Sequence, residues 1–259
     1  FELTNAQKRV VKEIRKDFLT GRHMNRLLQG DVGSGKTLVA LIAMLIANGN
    51  GYQACIMAPT EILANQHFET IRELLKGVSI RIALLTGSTK KSERTPLFAS
   101  LQNGEINLLI GTHALLEDPV QFHNLGFVVI DEQHRFGVAQ RGKMWKKNSI
   151  PPHVLVMTAT PIPRTLHFSL MGARDLSIIN TPPPNRHPVT TEVHVFNELL
   201  IKEAIHHEVS RGGQVFFVHN RVQDIHDIET MIRRLCPDVR TSVGHGQMDG
   251  DKLEEVLVN

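Results

Sequence analysis

Gly30-Asp31-Val32-Gly33-Ser34-Gly35-Lys36-Thr37 spells G-x-x-x-x-G-K-[ST], and this stretch restricts the fold more tightly than any other in the chain. Its glycines let the backbone curl so that several N–H groups aim at one spot, the start of a helix. That spot suits a phosphate chain. Gly30, Gly33, Ser34 and Gly35 form the cradle, Lys36 reaches the β and γ phosphates, and the Thr37 hydroxyl takes one position on a magnesium ion. The flanks agree: Leu27-Leu28 reads as a short strand and 38–47 as a nearly unbroken apolar helix ending at Asn48-Gly49.

Beyond the loop the pattern becomes strand, polar break, helix, and repeats. Runs rich in Val, Ile and Leu at 54–58, 80–85, 108–111, 127–130 and 154–157 predict buried parallel strands, and 61–75, 92–102 and 163–171 predict helices between them. Such alternation implies βαβ units in an α/β, doubly wound parallel sheet, whose ligands sit past the carboxyl ends of its strands. Upstream, Thr4 caps a helix with Ala6, Val10, Val11, Ile14 and Phe18 on one face. Gln7 has two readings there. It completes a capping box with Thr4, or its amide pairs with the N6 and N7 edge of adenine.

Four prolines within 181–188 predict a linker between a first domain, 1–180, and a second, 189–259. The second shows an alternating stretch at 189–195, helices at 198–209 and 224–235, strands at 215–218 and 239–243, and an amphipathic start at 251–258. About seventy residues are too few to close a second sheet of this kind, so this domain is expected to be truncated and the chain to be a piece of something longer. Length, 259 residues, and 41% hydrophobic content exclude a disordered chain, and a net charge of +3 permits a nucleic-acid partner without demonstrating one. Cys55 and Cys236 suggest reduced thiols and a cytoplasmic setting, and no apolar run approaches a membrane span.

Two further segments carry chemistry. The strand Val128-Val129-Ile130 ends in Asp131-Glu132-Gln133-His134, where Asp131 would hold magnesium through its waters and Glu132 would orient or deprotonate the attacking water. Gln133 and His134 would sense the γ phosphate or link it to the second domain, His134 being counted with the catalytic group; no ligand cluster has the spacing of a zinc site. Met157-Thr158-Ala159-Thr160-Pro161 follows the next strand and brings two hydroxyls near the acids.

In order along the chain, Gln7, the phosphate loop, Ala58-Pro59-Thr60-Glu61, Thr86-Gly87, Gly111-Thr112-His113, Asp131-Glu132-Gln133-His134 and Thr158-Ala159-Thr160 resemble the motif series of superfamily 2 helicases and translocases. The segments 131–138 and 158–165 are similar to the RecG family of bacterial ATP-dependent DNA helicases. The family of transcription-repair coupling translocases shares 158–165 but carries an extra acid where this chain has Gln133-His134. The resemblance implies a RecA-like first domain and a truncated second RecA-like domain, with ATP and Mg2+ as cofactors. It implies a motor that remodels stalled forks and branched junctions, acting as a monomer at the bacterial nucleoid, with contact to a single-strand binding protein through parts outside this chain. Pro59, Thr60, Glu61, Thr86, Gly87, Gly111, Thr112 and His113 would then grip DNA phosphates, although by local pattern each segment is only a helix N-cap. Val218-His219-Asn220-Arg221 and Gly244-His245-Gly246-Gln247-Met248 resemble second-domain motifs. The later motifs of that domain, with their arginine finger, do not occur before Asn259, so this chain is expected to bind ATP and hydrolyse it poorly. The alternative outside the helicases is a phosphate-loop nucleotide switch that makes no use of DNA.

Overall fold

Short runs of β-branched and aliphatic residues pair in register wherever both faces can be covered, and seven do so here. The computed structural model describes residues 2–132, 151–159, 175–181, 189–248 and 256. In chain order the first unit runs α1 (Asn5–Phe18), β1 (Asn25–Gly30), α2 (Lys36–Gly49), β2 (Gln53–Met57), α3 (Glu61–Leu74), β3 (Ile82–Leu85), α4 (Lys91–Gln102) and β4 (Leu108–Gly111). A 3-10 turn (His113–Leu116), β5 (Leu125–Asp131), β6 (His153–Thr158) and β7 (Asp175–Ile179) follow. The strands lie in the order β3-β4-β2-β5-β6-β1-β7, and every pair is parallel. The α/β doubly wound sheet expected from the sequence is present.

Alternation along each strand sends side chains to two faces. On one, Leu28, Ile56, Ile110, Phe127, Val129, Leu155 and Met157 pack with Val10 and Ile14 of α1, Val39, Ala40 and Met44 of α2, and Ile71 of α3. On the other, Cys55, Leu109, Val128, Val154 and Val156 meet Leu101 of α4 and Ala114 to Leu116 of the 3-10 turn. Phe18 stands edge-on to Phe127, with centroids 5.4 Å apart and planes at 79°, an arrangement that aromatic quadrupoles favour. Gly111 allows β3 and β4 to close up at their carboxyl ends, because a Cβ there would fall 2.1 Å from the Leu85 carbonyl oxygen. Burial pushes the Cys55 thiol up to about 12, as expected for an inert core cysteine.

The sequence reading missed β7, whose Asp-Leu-Ser-Ile-Ile mixes polar and apolar residues and lies at the sheet edge. The helix expected at 163–171 and all of the proposed linker except Thr181 lie outside the described residues.

Contacts divide the chain into two compact units, 1–187 and 188–259. In the second, α5 (Glu198–Ser210) and α6 (Ile225–Leu235) form as expected. Asn197 caps α5 through its side-chain oxygen, and Arg234 pairs with Glu198. The strands expected at 215–218 and 239–243, and any strand at 189–195, are not found; these segments are irregular. A strand needs a neighbour to accept its backbone groups, and among the described residues these have none. Accordingly Phe216 is 80% and Val218 85% exposed, and among the described residues of this unit the buried apolar ones are Ile205 and Cys236.

At the opposite edge of the sheet from the strands' carboxyl ends, the Met24 N–H donates to His153 Nδ1 at 3.0 Å. That bond requires an unprotonated nitrogen. Burial, with His23 as a lesser cause, holds His153 below its ordinary value, while Asp17 acts weakly in the other direction. An unfolded histidine therefore binds a proton before the folded one does, and the stability from this bond is complete above about pH 6.5 and lost as pH falls through the folded value. Thermal melts from neutral to mildly acidic pH should show this loss, and His153→Phe should flatten that part of the profile.

Candidate functional site

The nucleotide candidates converge because their strands are neighbours. The phosphate loop leaves β1, Asp131 ends β5, and Thr158 ends β6, and β5, β6 and β1 are consecutive in the sheet. Gly33 and Gly35 adopt φ of +77° and +83°, the left-handed conformation that glycine takes without strain, and Gly35 is the residue from which α2 springs. Lys36 folds back over the loop, donating to the carbonyls of Gly30 at 2.8 Å and Asp31 at 2.9 Å. Burial pushes its ammonium below the ordinary lysine value, while the nearby Asp131 and Glu132 carboxylates draw it back up. Thr37 occupies the second position of α2. The Ser34 hydroxyl is buried and has no hydrogen-bond partner among the described residues.

Gln7 forms the capping box: its Oε1 accepts from the Thr4 N–H at 3.0 Å, and its own N–H donates to Thr4 Oγ1 at 3.2 Å. Its Nε2 also donates to the Ser34 carbonyl at 2.9 Å, tying α1 to the loop. A Cβ on Gly35 would lie 2.3 Å from that nitrogen, so a side chain there would displace the Gln7 amide as well as strain the backbone at φ +83°.

Glu132 has φ +47°, outside the regions that non-glycine residues prefer, a strain of about 1–3 kcal/mol. Its carboxylate explains how the conformation persists: Oε1 accepts from the Ala159 N–H at 2.9 Å and Oε2 from Thr158 Oγ1 at 3.2 Å, while its own N–H donates to the Met157 carbonyl. The Thr158 hydroxyl thus ties the end of β6 to the acidic segment. His134, Gln133 and Thr160 lie outside the described residues.

The residue that sequence reasoning missed is His67. It lies on α3, and its Nε2 is 2.8 Å from Asp131 Oδ2, with both side chains close to nine-tenths buried. No local signal marks it, since a histidine on a helix face gains meaning only from the strand end that it meets 64 positions later. Among the described residues no cluster of three or more His, Cys, Asp or Glu side chains could hold a metal by itself.

The DNA candidates also sit side by side, past the ends of β3, β4 and β2, which are consecutive in the sheet. Thr60 caps α3 by accepting the Leu63 N–H. Pro59 and Thr60 are partly exposed, whereas Gly87 and His113 are exposed. Thr86 and Thr112 are buried, at 3% and 1%. The Thr112 hydroxyl has no hydrogen-bond partner among the described residues, while Thr86 Oγ1 lies 2.9 Å from Ser88 Oγ. Gly111 fills a packing role beside Leu85. The Glu61 carboxylate accepts two hydrogen bonds from Ser88.

The family model for DEAD/DEAH box helicases matches residues 4–168. The chain belongs to that family. It is 46% identical to the transcription-repair-coupling factor of Bacillus subtilis strain 168 over its whole length, which is 22% of that protein. It is 42% identical to the ATP-dependent DNA helicase RecG of Aquifex aeolicus over 98% of its length and 33% of that protein. A solved structure of RecG bound to a three-way DNA junction superposes over all of this chain and 34% of that one, with TM-score 0.79 and 39% identity. The chain thus spans between a fifth and a third of these relatives. Both families named from the sequence motifs are represented among them. Membership in the DEAD/DEAH family implies use of a nucleotide and a divalent metal, and the cradle, the orphaned Ser34 hydroxyl and the acids beside Lys36 fit that pair. No described helix is long and apolar enough to cross a membrane.

His67 fixes one oxygen of Asp131, the carboxylate that the sequence reading expects to hold Mg2+. His67→Ala should weaken Mg2+-dependent nucleotide binding about 10–100-fold while leaving metal-free binding unchanged, measured by titrating a fluorescent nucleotide with and without the metal.

Proposed function

We propose that this chain is the ATP-binding part of a DNA translocase motor that remodels forked or branched DNA. The observation that carries the reading is the division of one strand-end edge. Lys36, Asp131, Glu132 and Thr158 gather past β1, β5 and β6, while Thr60, Gly87 and His113 lie past β2, β3 and β4. One part of that edge suits a nucleotide, and the other presents hydroxyls and backbone groups that suit the phosphates of a strand.

ATP would be held by Gly30, Gly33, Ser34, Gly35 and Lys36, with Gln7 offering its second amide hydrogen to adenine. Mg2+ would be held by Thr37 and Asp131, and supplies charge neutralisation on the phosphates when bound. Lys36 orients the phosphate chain, replacing its two loop carbonyls as partners. Glu132, aimed by Thr158 and Ala159, positions a water and accepts its proton; His134 belongs with this group by its motif. Pro59, Thr60, Glu61, Thr86, Gly87, Gly111, Thr112 and His113 build the DNA grip, the exposed ones by contact and the buried ones by shaping it. Residues 1–180 form the first motor domain, 181–188 the linker, and 189–259 the beginning of the second. The motor works as a monomer, and an arginine from outside residues 1–259 completes a composite catalytic site.

The similarity to RecG, including the junction-bound structure, favours branched DNA. The 46% identity to a transcription-repair-coupling factor supports a second reading, a transcription-repair coupling DNA translocase without preference for branched DNA. A forked duplex should stimulate ATP hydrolysis by the full-length protein more than a linear duplex of equal length, and Lys36→Ala should abolish the stimulation. Equal stimulation would favour the coupling reading, and none by either DNA would overturn the translocase. Residues 1–259 alone should bind ATP yet turn it over about 10³-fold or more slowly than the full-length protein; robust DNA-stimulated turnover by this piece would contradict the composite site.

A further inference from the structure

Between Thr86 and Thr89 the chain is held from two sides by polar side chains: Arg94, which no sequence motif marks, and Glu61, which the motif series counts with the DNA contacts. Arg94 of α4 donates from Nε to the Thr89 carbonyl at 2.9 Å, and from Nη2 to the carbonyls of Thr86 at 2.9 Å and Gly87 at 3.2 Å. Its Nη1 donates to Glu117 at 2.7 Å. Four of the five guanidinium N–H groups are thus committed inward, and the side chain is 20% exposed. On the other side, Glu61 Oε1 accepts from the Ser88 N–H at 3.1 Å and Oε2 from Ser88 Oγ at 2.7 Å.

A planar trans peptide points its C=O and the following N–H in opposite directions. With the Gly87 carbonyl turned to Arg94, the Ser88 N–H must face away, and there it meets Glu61. By the same rule, turning the Thr86 carbonyl to Arg94 directs the Gly87 N–H away from the guanidinium, at an exposed residue without a side chain. A Cβ on Gly87 would lie 2.8 Å from Glu61 Oε1, so a side chain there would push the carboxylate from its place. We infer that Arg94 and Glu61 are positioning residues for DNA binding. They hold the 86–89 loop so that the Gly87 N–H is presented to a strand phosphate, and neither touches the DNA. The inference rests on the proposed reading that this loop meets DNA, and it changes the part assigned to Glu61 from phosphate contact to support.

The charges make the test sharp. A cation in contact with phosphate contributes about 0.7–0.9 to the slope of log affinity against log salt, and losing it flattens the slope by that amount. An acid merely facing DNA repels it, so its removal would tighten binding. Labelled forked duplex should be titrated across a salt series with the full-length protein carrying Arg94→Ala, Arg94→Lys, Glu61→Ala or Glu61→Gln. Arg94→Ala should weaken binding about tenfold with the salt slope unchanged. Arg94→Lys keeps the charge but cannot span three carbonyls and should also weaken binding, so a misfolded alanine variant does not decide the matter. Glu61→Ala should weaken binding as well, and Glu61→Gln, which retains an acceptor for the Ser88 N–H, should restore part of the loss. A slope flattened by Arg94→Ala but not by Arg94→Lys, or tighter binding by Glu61→Ala, would overturn the inference. If the unaltered protein binds DNA with its salt dependence and all four variants match it, the inference alone fails. If the unaltered protein does not bind DNA, the reading beneath it fails too.

Discussion

The arrangement depends on β2 having a parallel partner on each side. Its Gln53 to Met57 are all buried, with Ala54 to Met57 in register with Leu108 to Gly111 of β4 on one side and Phe127 to Ile130 of β5 on the other. Parallel pairing makes every strand leave the sheet at the same edge, so the segments that carry chemistry are brought together by register alone. Because β2 stands between β4 and β5, it also divides that edge. The motifs assigned to DNA fall on one side with β2 itself, and the nucleotide motifs fall on the other.

Helix α3 crosses this division. It begins just past β2 with Thr60 as its cap and Glu61 bonded to Ser88, on the side of the DNA candidates. Less than two turns later, His67 meets Asp131 on the nucleotide side. Both interactions satisfy polar groups that would otherwise be costly to bury or to leave loose. One helix is therefore hydrogen-bonded to both parts of that edge. Glu132 adds a second constrained element: its left-handed backbone is held by Thr158 and Ala159, so the acid and the end of β6 cannot move independently.

Features whose cause is local were legible in the sequence. The phosphate loop, the Thr4–Gln7 capping box and the apolar strands before Thr60, Thr86, Thr112 and Asp131 each follow from a few adjacent residues, and each was located from them. Features whose cause is distant were not. His67 and Arg94 are an unremarked histidine and arginine on helical faces until the sheet brings Asp131 and the Thr86 to Thr89 carbonyls to them. Edge strand β7 offered no apolar run, because Asp175 and Ser177 interrupt its aliphatic residues. The opposite error occurred at 215–218, where four apolar residues suggested a buried strand but no neighbour among the described residues supplies a ladder, leaving Phe216 and Val218 exposed. Composition states what a segment could bury, and pairing decides whether it does.

The central claim is that one strand-end edge holds nucleotide and DNA at separate places. Amide hydrogen exchange of the full-length protein, measured with Mg2+ and a non-hydrolysable ATP analogue and separately with forked DNA, tests it most directly. The account predicts that the nucleotide slows exchange at 30–37, 131–132 and 158–159, and that DNA slows it at 59–61, 86–89 and 111–113. Protection of one common set of peptides by both ligands, or of neither set, would contradict it.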